Sequence, residues 1–422
     1  MVRPLRRRPL RLGNTTWALL GELTPLGSSS VLFFLLIALL PAEEYGLFVA
    51  ITAVAFIVTP LARAGASIVM MRDLGDGGDE QRAWERALTA LSAGCGLAVI
   101  GWAVFGRFVL PAAPFAVTLA LYTQQLVPHA FSELCNSLLV AKLRMQEAFF
   151  NRATFAGWRI VGLVVFAVLR SDSLAVLAAI LLLCGVLGVA QNLFRIRRLL
   201  GIESRLVRST PATLARGVPD SFNSATGSVL DSVDRPILFN AGFEADTARY
   251  GVAMRIIGIA GVATIALLRP YDKALYRAGA SSVDAAYRLM HQAAARTVPI
   301  GIASAVGLWL VAGFVPDLLP DDYAAAVDII KWGVWMMPLR AVSFPYGNVL
   351  TAAGHRVTRL GMTAAAAIGN AVANLVFIPT FSWKAAVVTT LAAEAFLAVG
   401  FVTVCAVLAG RERRTGDAPA AS

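Results

Sequence analysis

Charged residues are scarce in this chain. Asp, Glu, Lys and Arg make up 15% of its 422 residues, whereas 58% are hydrophobic and the mean hydropathy is +0.69. A soluble domain usually carries about 25% charged residues. Histidine and cysteine are scarcer still, with three and four copies. The cysteines lie far apart within apolar stretches, so neither a disulfide framework nor a metal knuckle is indicated, and we expect them to be small core residues.

Motifs of soluble enzymes are also missing from the sequence. It contains no phosphate-binding loop of the Walker type and no Gly-x-Ser-x-Gly nucleophile motif. The chain is therefore not expected to be an enzyme, nor to hold a metal or a resident cofactor. A membrane glycan polymerase or ligase stays open as an alternative, although such an enzyme would usually carry a large outer loop with catalytic residues, and the outer connections here are short.

Apolar stretches long enough to cross a bilayer as an α-helix, about 20 residues each, recur along the chain. Because unpaired backbone groups are not tolerated in lipid, such stretches form helices. The sequence therefore predicts an all-α polytopic membrane protein with about 12 transmembrane helices and no separate soluble domain. The predicted spans are 16–40, 47–71, 87–106, 112–140, 153–169, 174–194, 219–240, 250–268, 297–315, 328–350, 360–378 and 385–409.

Basic residues are distributed unevenly between the loops of this topology. Of the 37 Lys and Arg residues, 27 fall on the side that holds both termini, four on the opposite side and six within spans. Basic loops mark the cytoplasmic side, so we expect both termini in the cytoplasm and the protein in a bacterial plasma membrane. This bias explains the net charge of +11, and nucleic-acid binding is not expected. The triplet Arg6-Arg7-Arg8 is interpreted as an anchor of the first span rather than part of a cleaved signal peptide.

Arginine dominates the basic residues within the spans. A charged side chain at the bilayer centre costs about 2.5–3.5 kcal/mol on insertion scales, so it usually faces the protein interior and often marks a transport path. The planar guanidinium group binds phosphate and carboxylate in a bidentate manner. Arg63, near the inner surface, could instead extend to the lipid headgroups. We predict a cationic substrate-binding cavity formed by Arg63, Arg159, Arg235, Arg255 and Arg340.

Acidic residues and a histidine in the same spans are candidates for charge balance or for coupling to a cation. Asp231 and Arg235 are four residues apart, so they share a helix face and can pair, and a purely structural pair is the alternative interpretation. A polar stripe that should point inward follows one face of the fourth span: Gln125, His129, Glu133 and Asn136. The predicted coupling or balancing residues are Asp231, Asp234, Glu133 and His129, with H⁺ or Na⁺ as the coupling cation.

Two segments resemble each other across the middle of the chain. Glu44 to Ala50 opens the second span and Arg249 to Arg255 opens the eighth, with Tyr-Gly at equivalent places. Six spans, a long basic loop and six further spans are typical of a two-lobed secondary transporter. We therefore predict two pseudo-symmetric six-helix lobes around a central cavity. The predicted boundaries are residues 1–200 for the first lobe, 201–218 for a basic cytoplasmic linker, 219–410 for the second lobe and 411–422 for a cytoplasmic tail.

Three stretches carry a resemblance to a known family: Pro41 to Phe48; Asp234 to Asn240 with Arg249 to Arg255; and Pro338 to Arg340 with Leu350 to Arg356. Over nearly its full length the chain resembles the polysaccharide flippases of the multidrug/oligosaccharidyl-lipid/polysaccharide exporter (MOP) superfamily. The resemblance implies that two lobes move undecaprenyl-pyrophosphate-linked oligosaccharides, precursors of O-antigen or exopolysaccharide, from the cytoplasmic to the outer leaflet by alternating access. Relatives often have an acidic residue where this chain has Arg63, which favours a cationic cavity over ion coupling through this helix.

The expected partners are the lipid-linked oligosaccharide, membrane lipids and a polysaccharide polymerase or synthase. A cation-coupled multidrug exporter of the same superfamily is the main alternative. It should have a pocket dominated by carboxylates, and the excess of arginine disfavours it. A further alternative is a membrane scaffold without transport activity. In that case, replacing the cavity arginines should leave function intact.

Overall fold

The computed structural model describes residues 14–171, 173–208, 217–268 and 271–416, and no strand occurs among them. The predicted all-α class is therefore confirmed. The α-helices are α1 (Asn14–Leu39), α2 (Ala42–Ala62), α3 (Ala66–Gly75), α4 (Glu80–Val109), α5 (Phe115–Ala141), α6 (Met145–Leu169), α7 (Leu174–Leu200), α8 (Val218–Ser232), α9 (Asp234–Asn240), α10 (Glu244–Ala266), α11 (Asp272–Ser281), α12 (Val283–Val311), α13 (Ala326–Gly333), α14 (Met336–Ala352), α15 (Arg356–Phe381) and α16 (Trp383–Gly416). Short 3-10 helices at Ala312–Phe314, Pro316–Leu318 and Asp321–Tyr323 join α12 to α13.

Seven helical segments of the described residues are long and apolar enough to cross a membrane. The chain is therefore a multi-pass membrane protein. Each of the 12 predicted spans overlaps one or two helices. The number that crosses the bilayer stays a prediction. The seven segments are Ala42–Gly75, Glu80–Val109, Met145–Leu169, Leu174–Leu200, Val283–Phe314, Arg356–Phe381 and Trp383–Arg414.

Two predicted spans are each divided by a break that proline explains. The span predicted at 219–240 separates into α8 and α9, and the span predicted at 328–350 separates into α13 and α14. Pro236 is the third residue of α9, and Pro338 is the third residue of α14. Proline has no N–H to donate to the carbonyl group four residues earlier, so a helix can begin at such a position but cannot run through it undisturbed.

Helices also extend beyond the predicted spans into the basic loops. The loop predicted at 269–296 contains α11 and the first half of α12. The Ser282 hydroxyl caps α12 by accepting a hydrogen bond from the backbone N–H of Ala285 at 2.9 Å. These turns are amphipathic rather than apolar, which is why a search for long apolar runs placed the start of this helix too late.

The chain divides into two compact units. The first comprises Met1–Leu39, Val58–Arg107 and Pro114–Phe222, and the second comprises Leu40–Ile57, Phe108–Ala113 and Asn223–Ser422. In the first unit α6 packs against α1, and α5 packs against α6 and α7. In the second unit α14 packs against α12 and α16, and α15 packs against α16. All four cysteines are buried and free, as expected. The predicted lobe boundaries stay a prediction.

The first part of the predicted linker is fixed to α4 within the first unit. The backbone N–H of Glu203 donates to Gln81 Oε1 at 2.9 Å, and Gln81 Nε2 donates to the Glu203 carbonyl oxygen at 2.8 Å. The backbone N–H of Val207 donates to Thr89 Oγ1 at 3.0 Å. The linker is thus held in place, without regular secondary structure, at least to residue 208. Residues 209–216, the basic N-terminal tail and residues 417–422 lie outside the described residues.

The two repeat-related segments lie against each other within the second unit. A Cβ atom added to Gly46 of α2 would lie 2.2 Å from the carbonyl oxygen of Glu244 in α10. A Cβ added to Gly251 of α10 would lie 2.8 Å from both methyl groups of Val49 in α2. Small residues of this kind allow the backbones of two membrane helices to approach closely. The glycines of both Tyr-Gly pairs noted in the sequence therefore allow a close approach between α2 and α10.

Candidate functional site

Arg63 lies at a break between α2 and α3 in the first unit. Ala64 and Gly65 at this break have left-handed φ angles of 46° and 64°. A Cβ on Gly65 would lie 2.4 Å from the Cα atom of Gly217, so no larger residue fits. The break places Arg63 directly after the last turn of α2. Free carbonyl groups at this helix end carry partial negative charge and stabilise a cation.

Three members of the polar stripe of α5, His129, Glu133 and Asn136, contact side chains of α6. Glu133 forms an ion pair with Arg152 of α6, with 3.6 Å between Oε1 and Nη2. The amide oxygen of Asn136 faces Arg152 and accepts hydrogen bonds from its Nε and Nη2 atoms at 2.9 and 2.8 Å. Arg152 also donates to the carbonyl oxygen of Gly21 in α1 at 2.9 Å. The carboxylate proposed for coupling is therefore already paired.

Arg63, His129 and Arg159 are neighbours within the first unit. The ring of His129 packs edge-on against Phe155 with 5.1 Å between centroids. His129 is within electrostatic range of Arg159 and Arg63, and Arg63 is within range of Glu133. The Nε atom of Arg63 is buried and makes no hydrogen bond to a described residue. This part of the first unit therefore gathers basic groups around a single, already paired carboxylate.

Arg235 and Arg255 are neighbours in the second unit. Their guanidinium groups are close enough for the positive charges to repel each other, and Tyr45 of α2 is within electrostatic range of both. The Nε atoms of both arginines are buried without a hydrogen bond to a described residue. Neither side chain forms an ion pair with any carboxylate of the described residues. Two cations are therefore held close together, with the buried Asp234 carboxylate within electrostatic range of Arg235.

Arg340 of α14 has a different environment in the same unit. Its Nε atom lies 2.7 Å from Glu394 Oε1, and its Nη2 atom pairs with Asp231. The Glu394 side chain is only 4% exposed, so its charge depends on this contact. The charge of Arg340 is thus more than balanced by two carboxylates. Glu394, whose role the sequence did not indicate, proves to be half of this arrangement.

The pair expected between Asp231 and Arg235 does not form among the described residues. The helical register that would align them ends at Ser232, and α9 starts afresh at Asp234. Asp231 is consequently free to pair with Arg340 on another helix. Spacing along one helix predicted a contact that the break prevents.

Asp234 is buried, and both of its carboxylate oxygens accept hydrogen bonds. One carboxylate oxygen accepts a hydrogen bond from the backbone N–H of Arg235 at 2.9 Å, and the other accepts one from the Tyr250 hydroxyl. Asp234 is 2% exposed and Tyr250 is fully buried. Tyr250, which belongs to the repeated Tyr-Gly pair, was not predicted as a site residue. The repetition itself was the sequence signal that could have singled it out.

The five predicted cavity arginines are thus divided between the units: Arg63 and Arg159 in the first, and Arg235, Arg255 and Arg340 in the second. That all five line one cavity stays a prediction. The described residues contain no group of three or more His, Cys, Asp or Glu side chains that could hold a metal ion.

Comparison with known proteins gives a fold but no close relative. No protein-family model matches the chain, and no curated protein sequence matches it. Among solved structures, an inward-facing multidrug resistance MATE family transporter of the MOP superfamily has a TM-score of 0.76 at 14% identity, over 95% of this chain and 98% of that one. The lipid II flippase MurJ in an inward closed conformation has a TM-score of 0.68 at 12% identity, over 93% of this chain and 87% of that one.

A third structure is a MOP superfamily transporter from Pyrococcus furiosus, described by the reverse polarity of its binding pocket. It has a TM-score of 0.53 at 14% identity, over 93% of this chain and 95% of that one. The chain therefore has the fold of the MOP superfamily of transporters. The resemblance noted in the sequence is confirmed at the level of the fold.

Proposed function

We propose that the protein is a flippase that moves undecaprenyl-pyrophosphate-linked oligosaccharides from the cytoplasmic to the outer leaflet of a bacterial plasma membrane. One observation carries the proposal. Each candidate carboxylate is already engaged by a neighbouring donor: Glu133 by Arg152, Asp231 by Arg340, and Asp234 by Tyr250. Three arginines in contrast have a buried Nε atom without a hydrogen bond and form no ion pair with a carboxylate of the described residues: Arg63, Arg235 and Arg255.

A guanidinium group without an ion-pair partner is costly within apolar helices, so its presence there favours an anionic ligand from outside the chain. The pyrophosphate bridge of a lipid-linked sugar supplies such a partner, because arginine binds phosphate oxygens through paired hydrogen bonds. Binding one charged headgroup at fixed arginines, while the polyprenyl tail stays in lipid, is the chemistry that flipping requires. A lipid II flippase among the structural neighbours is consistent with this substrate class.

The engaged carboxylates are the proposed route for coupling to H⁺ or Na⁺. Asp231, Asp234, Glu133 and His129 stand beside the arginines, and a cation could compete for the carboxylates when substrate occupies the guanidinium groups. A polysaccharide polymerase or synthase is the proposed consumer of the product. Imposing a Na⁺ or pH gradient across proteoliposomes should change the flipping rate, and the gradient that does so identifies the coupling ion.

The direct test measures flipping of a fluorescent undecaprenyl-pyrophosphate oligosaccharide in proteoliposomes. We expect Arg235→Ala and Arg255→Ala each to lower the rate at least tenfold, because loss of a charged contact to phosphate costs about 1.5–3 kcal/mol. Arg277→Ala is the matched control, since Arg277 is exposed on α11 outside the proposed site. Flipping by the parent at the protein-free rate would refute the proposal.

Multidrug export is the second candidate, because a multidrug resistance transporter is among the structural neighbours. An exporter of organic cations should need its carboxylates and not its unpaired arginines. Efflux of a fluorescent organic cation from loaded proteoliposomes separates the two functions. Efflux that survives Arg235→Ala but is lost in Asp231→Asn would favour drug export.

A further inference from the structure

The segment that follows α7 lies along α4, within the first unit. We call its residues 203–208 the strap. The first strap residue exchanges two hydrogen bonds with Gln81, and the backbone N–H of Val207 donates to Thr89 Oγ1 at 3.0 Å. Between these contacts, the indole N–H of the buried Trp84 donates to the hydroxyl group of the strap's only serine at 3.3 Å. The strap is therefore fixed to α4 at three successive levels of this helix.

These contacts run from outside the apolar part of α4 into it. Gln81 precedes the span predicted at 87–106, whereas Thr89 lies within that span. The step from Gln81 to Thr89 is eight residues of helix, a rise of about 12 Å. The strap covers this distance between residues 203 and 207, so it is nearly fully extended, because a chain spans at most about 3.3–3.6 Å per residue. It thus reaches the depth at which the predicted apolar core of the membrane begins, on the side of the basic loops.

The strap exposes one apolar side chain between two basic ones. Leu206 is 66% exposed, the Arg205 side chain is 72% exposed, and Arg208 is exposed as well. Glu203, the only acidic residue of the strap, pairs with Arg205 and lies 4.0 Å from Arg197 in the last turn of α7. Arg208 forms no ion pair with a described residue. The arginines therefore leave a net positive charge around an exposed leucine.

Depth, charge and exposure together fit a lipid headgroup. Segments that lie at a membrane surface insert apolar side chains at the boundary between headgroups and acyl chains, and their basic side chains attract anionic lipids. Guanidinium groups bind phosphate oxygens through paired hydrogen bonds. The cytoplasmic leaflet is rich in anionic phospholipids, so these are the abundant anions at the depth that the strap reaches. A linker that only crossed water would gain nothing from an exposed leucine fixed at this depth.

We propose that the strap is a binding site for an anionic phospholipid of the cytoplasmic leaflet. Arg205 and Arg208 bind the phosphate group, and Leu206 contacts the beginning of the acyl chains. The hydrogen bonds to α4 hold these three side chains at the boundary of the membrane. The inference goes beyond the proposed transport function and does not depend on it.

The test uses the full-length Leu206→Cys variant, labelled with the fluorophore bimane, in phosphatidylcholine nanodiscs. The native cysteines are buried, so the label reports on the strap. A small, equal fraction of either phosphatidylglycerol or phosphatidylcholine carries a nitroxide quencher near its headgroup. We expect phosphatidylglycerol to quench bimane several times more strongly, because each arginine near an anionic headgroup favours it about fivefold. High salt should remove the difference, because about 1 M salt screens charges beyond about 3 Å.

Two double variants in the labelled background separate the strap from the overall charge. Arg205→Ser with Arg208→Ser should abolish the preference for phosphatidylglycerol, and both side chains are exposed, so the melting temperature should stay that of the parent. Arg277→Ser with Arg356→Ser is the matched control. It removes the same charge from exposed positions of the second unit on the same predicted side of the membrane, and it should keep the preference.

Four other results would overturn the inference. Without quenching by either lipid, the strap does not lie at the membrane. Equal quenching by both lipids would reject a site for anionic phospholipid. Loss of the preference in the control variant as well would assign it to net charge rather than to the strap. Recovery of fluorescence on adding one equivalent of undecaprenyl phosphate would identify a polyprenyl lipid, not a phospholipid, as the occupant.

Discussion

Arg340 and the pair Arg235 and Arg255 illustrate two different uses of the same side chain within one unit. Arg340 is surrounded by Asp231 and Glu394, so its charge is balanced by the chain itself. Arg235 and Arg255 have no such partner and are close enough to repel each other. The first arrangement is expected to stabilise the fold, whereas the second is the proposed binding place of an anion.

Replacing Arg340 should therefore destabilise the protein itself. In Arg340→Ala the nearly buried Glu394 and the half-exposed Asp231 would remain as neighbouring negative charges, and breaking a buried pair typically costs about 3–5 kcal/mol. Because Asp231 is 43% exposed, we expect the lower part of that range. Thermal unfolding in detergent should show a melting temperature several degrees lower.

The double variant Arg340→Ala with Glu394→Gln provides the control. It removes the buried negative charge that the single variant leaves unpaired, so it should recover part of the lost stability. If Arg340→Ala has the same melting temperature as the parent, the ion pair does not contribute to the stability of the protein.

Residue chemistry could be predicted from the sequence better than residue partners. Charges within apolar spans identified five arginines as unusual, and three of them, Arg63, Arg235 and Arg255, form no ion pair with a carboxylate of the described residues. The partner of Asp231 could not be predicted, because it lies on α14, more than a hundred residues away along the chain. Tertiary contacts of this kind leave no periodic signal in a single sequence.

Helix breaks are the second level at which the site is organised. The break before Asp234 turns this carboxylate toward Tyr250, and the break at Gly65 places Arg63 after the last turn of α2. Pro236 and Gly65 mark these two regions in the sequence. Their effect on register was not predictable, since a span identified by hydropathy alone is treated as one continuous helix.

The crossing of α2 and α10 should depend on glycine. Gly46→Ala would place a Cβ atom 2.2 Å from the carbonyl oxygen of Glu244, and overpacking of this kind typically costs about 1–3 kcal/mol. Gly258→Ala, in the same helix pair, meets nothing within 4 Å and should be neutral or stabilising by up to about 1 kcal/mol.

Thermal unfolding of the two alanine variants in parallel measures this difference. Equal melting temperatures for Gly46→Ala and Gly258→Ala would contradict the close contact between α2 and α10 at Gly46.

At the scale of the whole molecule, the sequence predicted the fold class and the superfamily fold but not the extent of each helix. Hydropathy is averaged over a whole span and charge over whole loops, so both signals persist where a helix is locally irregular. The polar turns of α11 and α12 were predicted as loop because amphipathic helices resemble loops when judged by hydropathy. Twelve spans and the orientation in the membrane remain to be measured.

Cysteine labelling can measure the orientation. The four native cysteines are buried, so a new cysteine at an exposed position should be the main target of a membrane-impermeant maleimide. On right-side-out vesicles we expect Asp322→Cys to be labelled and Asp76→Cys to be protected until the membrane is permeabilised, because basic loops stay in the cytoplasm. The opposite pattern would reverse the predicted topology.

Gly46 and Gly251 restrict the residue sizes that two distant parts of the chain can carry. A Cβ atom at Gly46 would meet the backbone of Glu244, and one at Gly251 would meet the side chain of Val49. A larger residue in either segment therefore disturbs packing in the other, although the two segments are far apart in the sequence.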